Sequence, residues 1–512
     1  MLVAALVISV QAATYDVTVE EKADYFGWGK AYMVKNDLVT LAIVPDLGGR
    51  VMQYDLGTHP SIYIHESSKG DLPTSGNTMI GGFRQLPSPQ SDFGWPSPPA
   101  VDFGKYTPTV VKQSADSVII LLESPVENST DDKYKTHKGL QFKRTITLYR
   151  SSTRVKVVMT MLNKGTAAMT HGIWDITQSD CSNGGEPDTS NFWVYFKKGT
   201  IGGSQGYVQY MDQGSADTEW KPDAVGGGIM STNYQQQTGK IGADCRAGWI
   251  AFADQLDGYA YIKTFTYENG KTYPDSGASV QVYTYTSPAM LEVEVLGPKV
   301  TLQAGDSTTL TENWFASRTS GAIIDVNAAG LTVKKLSATR AGDTVTTNGT
   351  FGVFYPGTLK WQLFGSDGNV IATADSNAVV PTDSFVATKK FAVTAGAAWI
   401  GLQLCDSKGT VIGLLDSTNV PPASAIAVSS SASMQNTQQG SKINVLPGRL
   451  SVTPAAGHGP AVVSLFTLNG ALLQRYSVEA PSVIDIKVFE NRTLLCRIEQ
   501  AGQTCSRMIA TR

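Results

Sequence analysis

The 512-residue sequence predicts an all-β protein: a large antiparallel two-sheet sandwich, then an immunoglobulin-like β-sandwich, then a small C-terminal β-module. Three observations predict it. Short apolar/polar alternations rich in β-branched residues recur along the chain, as in Phe142-Lys-Arg-Thr-Ile-Thr-Leu-Tyr and Arg154-Val-Lys-Val-Val-Met-Thr-Met. Gly, Asn, Asp and Ser separate these runs, and those residues supply turn conformations. No amphipathic run of helical period continues for about three turns, the ordinary length of a helix.

Composition narrows the function. Hydrophobic residues make up 42% of the chain, enough to build ordinary cores and to exclude global disorder. Lys and Arg number 41 against 44 Asp and Glu, a net charge of -3, which leaves no basic field to neutralise a phosphate backbone and excludes nucleic acid as a partner. A chain rich in Gly and Tyr with 17% charged residues suits β-structure on a polar, neutral ligand.

Taken in order, residues 1–13 hold an apolar run, Met1-Leu-Val-Ala-Ala-Leu-Val-Ile-Ser-Val, then Gln-Ala-Ala. With small residues at Val10 and Ala12 it is expected to be a signal peptide, too short to span a bilayer, and no other stretch is long and apolar enough for membrane insertion. Residues 14–328 are about twice the length of an ordinary domain and suit a large two-sheet sandwich. From 329 to 420, evenly spaced short strands such as Leu359-Lys-Trp-Gln-Leu-Phe and Trp399-Ile-Gly-Leu-Gln-Leu give the immunoglobulin-like pattern. Residues 421–443 are Ser- and Gln-rich and read as a linker. Residues 444–512 form the last module. There Cys496 and Cys505 flank Gln500-Ala501-Gly502, and a hairpin centred between Gln500 and Ala501 sets them face to face, an expected disulfide and a sign of an oxidising compartment.

The chemistry must lie in residues 14–328, where three segments carry it. Gly81-Gly-Phe-Arg-Gln-Leu-Pro-Ser-Pro-Gln places Arg84 and Gln90 in a Pro-rich, charge-poor stretch, with Trp95-Pro96 following. An arginine there is either paired structurally or presents its donor fork to ligand oxygens. In Thr170-His-Gly-Ile-Trp-Asp-Ile-Thr-Gln, strand alternation sets His171, Ile173, Asp175 and Thr177 on one face and Trp174, Ile176 and Gln178 on the other. In Leu291-Glu-Val-Glu-Val-Leu-Gly-Pro, Glu292 and Glu294 share a face. Two adjacent carboxylates repel, and one can have a raised pKa suited to proton transfer.

In these residues the domain resembles the galactose mutarotase (aldose 1-epimerase) superfamily. Pro45-Asp-Leu-Gly-Gly-Arg, Thr170-His-Gly-Ile-Trp-Asp-Ile, Leu291-Glu-Val-Glu and Leu310-Thr-Glu-Asn-Trp-Phe follow that family's motifs in order over residues 30–318. Gly81 to Gln90, Trp95-Pro96 and Leu291 to Pro298 are closer still to an uncharacterised secreted branch of it. The resemblance implies an antiparallel β-supersandwich and a mono- or oligosaccharide ligand. It also implies acid/base chemistry at the anomeric centre, with Glu292 as base and His171 as acid. Arg84, Gln90, Trp95, Trp174, Asp175 and Glu294 would then line the sugar, with no metal or cofactor. The sequence departs from the family where Asn77-Thr-Met-Ile-Gly-Gly lacks a second histidine. A non-catalytic oligo- or polysaccharide binder, or a polysaccharide lyase or glycoside hydrolase using the same cleft, fits these residues as well. Residues 444–512 resemble the C-terminal sorting domains of proteins secreted by gliding and fibre-degrading bacteria, which implies a secretion-machinery partner and a place outside the cell or on its surface.

Overall fold

The structure, a computed structural model, describes residues 16–72, 79–211 and 218–422, and most of 434–511. The expected signal peptide lies outside the described residues, as does most of the expected linker. The chain divides into two units, the first running to residue 419 apart from 339–345, the second holding those residues and the remainder.

The first unit is dominated by two antiparallel sheets of twelve and ten strands. Alternation built them. In Val155–Asn163, Val155, Val157, Met159 and Met161 are buried and the intervening residues are half-exposed. The buried sets of both sheets meet in one core that includes Leu41, Phe83, Ile173, Val293, Met159 and Trp314. The middle of the larger sheet runs, neighbour to neighbour, Arg50–Leu56, Phe83–Ser88, Met169–Asp180, Met290–Leu296, Val280–Tyr285 and Gly239–Ala243. Its two central strands are buried on both faces. One face looks into the core. Segments that include Phe93 and Tyr134 cover part of the other, where they pack with Leu86, Trp174, Ile176 and Leu296.

Beyond this sandwich, the first unit carries a five-stranded sheet and a four-stranded sheet, both within residues 325–419. Trp361 of the smaller sheet donates to Thr347 of the larger. The second unit holds two four-stranded sheets around Ile443, Val452, Val463 and Ile498. Its last hairpin pairs Gln500 with Gln503, so Cys496 lies opposite Arg507 and Cys505 opposite Ile498. The face-to-face cysteine placement is therefore corrected to a diagonal, because the turn falls one residue later than expected. The Cys505 side chain lies outside the described residues. The one α-helix described is the single turn Pro99–Asp102, and no helix among the described residues is long and apolar enough to cross a membrane.

Candidate functional site

The outer face of the twelve-stranded sheet carries a row of polar side chains at its centre. Register creates it. Gln178 lies opposite Glu292, Ile176 opposite Glu294, and Arg84 opposite Ile176 on the other side. Tyr283 lies opposite both Glu292 and Lys240.

The Glu292 carboxylate accepts from Gln178 Nε2 at 2.8 Å, and the Gln178 amide oxygen accepts from the Gly81 N–H at 2.8 Å. Gly81 has φ +104, and a Cβ there would collide with the Tyr63 carbonyl, so this close approach needs glycine. One oxygen of Glu294 accepts from Trp174 Nε1 at 2.7 Å and from Lys240 Nζ at 3.0 Å; its other oxygen is buried without a partner. The Lys240 ammonium also lies 4.6 Å from the centre of the Trp174 ring. Burial pushes the Glu294 carboxyl up to about 7; the Lys240 charge opposes that rise and the Glu292 charge adds to it.

Two arginines flank the carboxylates. Arg50 and Arg84 reach the two oxygens of Asp102 at 3.4 and 3.3 Å, and Ser97 donates to the same carboxylate. All three charged groups are buried. The Pro45-Asp-Leu-Gly-Gly-Arg turn makes this possible: a Cβ at Gly48 would collide with the Asp102 carbonyl. Burial lowers the Arg50 pKa to about 10, and the nearby Asp102 and Glu292 charges oppose that fall. The Arg84 guanidinium sits 5.0 Å from the centre of the Trp95 ring, which is 41% exposed and so presents a flat apolar surface at the edge of the row.

His171 does not join this row. It precedes Gln178 by seven residues on the same strand, roughly 23 Å at ~3.3 Å per residue. Its Nε2 bonds to the Thr136 carbonyl at 2.9 Å, and its ring stacks on His137 with centroids 4.3 Å apart. Asp92 lies 3.4 Å from its Nδ1 without hydrogen-bond geometry. Burial holds the His171 pKa below the ordinary imidazole value, against the opposing pull of the Thr136 carbonyl and Asp92. A separate hollow of about 320 Å³, lined by Asp92, Thr136, Thr170 and His171, adjoins it. The pairing of His171 with Glu292 as acid and base is therefore corrected.

Asp175 is also corrected as a sugar contact. It faces the core, where Lys263 of the opposite sheet donates to it at 2.6 Å and the Val295 N–H donates at 2.7 Å. Both charged groups are fully buried, and the pair ties the sheets together. Gln90 opens a single turn, Gln90–Asp92, whose carbonyl accepts from Phe93 and Gly94. Arg84, Trp95, Trp174, Glu292 and Glu294 do share the outer face. Arg50, Asp102, Gln178 and Lys240 complete the row and were missed; the Gly-Gly before Arg50, and Asp102 in a charge-poor segment, were the available signals.

No protein-family model matches the chain, and no curated protein does. Solved structures do. A galactose mutarotase-like protein from Clostridium acetobutylicum is 13% identical with a TM-score of 0.41, over 59% of this chain and 99% of that one. A putative aldose 1-epimerase from Klebsiella pneumoniae is 10% identical with a TM-score of 0.43, over 59% and 84%. A putative mutarotase from Salmonella typhimurium is 10% identical with a TM-score of 0.40, over 60% and 96%.

Proposed function

We propose that the chain binds a carbohydrate on the outer face of the twelve-stranded sheet. One observation carries this reading: Arg50, Arg84, Asp102, Gln178, Glu292 and Glu294 are buried together beside the half-exposed Trp95. Burying an ion costs several kcal/mol unless partners compensate it, and covering a sheet face needs only apolar residues such as Leu86, Ile176 and Leu296 next to them. A polar row kept at that cost suits a ligand that both donates and accepts hydrogen bonds. Sugar hydroxyls do both, and a pyranose C–H face can lie on Trp95. Export through the chain's two ends belongs to the same proposal. The test is a glycan array followed by calorimetry. At least one glycan should bind, with about a tenfold or greater loss in both Trp95→Ala and Glu292→Gln. Absence of any bound glycan, or binding indifferent to both changes, removes the reading.

A second reading, acid/base chemistry at the anomeric centre, is favoured by Glu294 alone. Its carboxyl, raised to about 7, is protonated in part of the molecules near neutral pH, so Glu292 would take the anomeric hydroxyl proton and Glu294 would deliver one to the ring oxygen. NMR exchange of α and β anomers over a sugar panel decides it. Exchange above the spontaneous rate that is lost in Glu294→Gln supports catalysis, and exchange at the spontaneous rate for every sugar leaves binding only.

A further inference from the structure

A cleft of about 400 Å³ lies in the first unit, where the outer face of the ten-stranded sheet meets Val326, Asn327 and Tyr355 of the smaller sheets and their connections. It falls within the ordinary size of a small-molecule pocket, and such sites favour the junctions between folded modules. Register assembles its floor. Thr264 lies opposite both Trp249 and Asn313, and Asn313 lies opposite Lys156. Their strand neighbours Trp314 and Val157 point the other way, into the core between the two large sheets. The half-buried rings of Phe265 and Tyr355 line the sides.

Arg154 is the one charged residue among those that line the cleft. Its Nε donates to Asn313 Oδ1 at 2.7 Å, its guanidinium lies 4.8 Å from the centre of the Tyr149 ring, and it bonds to the Tyr355 hydroxyl. All three partners are neutral, so they fix the plane of the fork without cancelling its charge. Arg50, Arg84 and Arg246 each reach a carboxylate. Among the described residues neither Arg154 nor Lys156 forms an ion pair. A tether to neutral oxygens needs only N–H donors, whereas an uncancelled guanidinium in a cleft is complementary to an anion. The aromatic sides suit an apolar ring face, and the Thr264 hydroxyl and Asn313 amide suit ring hydroxyls.

We propose that this cleft binds a sugar acid, its carboxylate on the remaining donors of Arg154 and its ring against Phe265 and Tyr355. A carboxylate matches the planar fork, and Lys156 beside Asn313 adds a field of the same sign. The site lies on the other large sheet from the Glu292 row and does not depend on its reading.

The test is titration of the whole chain with glucuronate, glucose and 4-hydroxybenzoate near neutral pH, followed by NMR or calorimetry. Glucuronate should bind at least about tenfold more tightly than glucose, the worth of one charge-assisted contact, and more tightly than the aromatic acid. Arg154→Gln should abolish the preference for glucuronate over glucose. Arg154→Lys, which keeps the charge without the planar fork, should retain part of it. Thr264→Val, close in shape, should weaken glucuronate several-fold, with circular dichroism melting showing that each variant is folded. Equal affinity for glucuronate and glucose, tighter binding of the aromatic acid, or glucuronate binding that survives Arg154→Gln would overturn the proposal.

Discussion

Replacing Glu294 with Gln tests how the outer-face row is held. Burial raises this carboxyl from 4.5 to about 7, so the folded state binds its proton more tightly than the unfolded state. The associated stability is fully present below about 4.5 and is lost as pH rises through about 7. At about 1.4 kcal/mol per unit of pKa, the rise corresponds to ~3 kcal/mol. Glutamine cannot titrate and removes that pH dependence. It also loses the charge-assisted bond from Lys240, which shifts its stability at high pH without adding a slope below pH 7. The assay is guanidinium unfolding followed by tryptophan fluorescence, since Trp174 donates directly to this carboxylate. Between about pH 8 and about pH 5, wild type should gain ~3 kcal/mol relative to Glu294→Gln. A difference that stays constant across that range would mean that Glu294 is already fully ionised, and the account of the row as a proton-holding pair would fail.

Three further outcomes are expected. Asp175→Asn removes the carboxylate that holds the buried Lys263 ammonium and leaves it the buried Glu312 carboxyl as charge partner, which should lower stability by up to about 3–5 kcal/mol, with glycan affinity unchanged in the folded fraction. His171→Gln should leave any glycan affinity or anomer exchange unchanged, whereas Glu292→Gln should lower it about tenfold or more; the reverse would restore the imidazole to the site. Gly81→Ala should destabilise the protein by more than about 1 kcal/mol, because its left-handed backbone and its contact with Tyr63 both exclude a side chain.

The strands were legible because alternation is a local signal. Alternation from Thr170 to Gln178 puts Trp174 and Ile176 on one face and Ile173 on the other, and the buried clusters separate them that way; His171, which alternation puts with Ile173, instead stacks on His137 beside Phe93. Register was not legible, because it joins strands more than a hundred residues apart. Whether Glu292 meets His171 or Gln178 depends on where Met290–Leu296 stops against Met169–Asp180. The charge partner of Asp175 was hidden for the same reason: Lys263 belongs to the other sheet. A charged residue on the core face read as a ligand group because its neutralising ammonium was 88 positions away.

The most direct test of the central claim is a crystal structure with the glycan that binds most tightly. The account predicts a sugar ring over Trp95 with hydroxyls within hydrogen-bond reach of Glu292 and Lys240. A ring lodged in the hollow beside His171 and Asp92, with the outer-face row untouched, would contradict it.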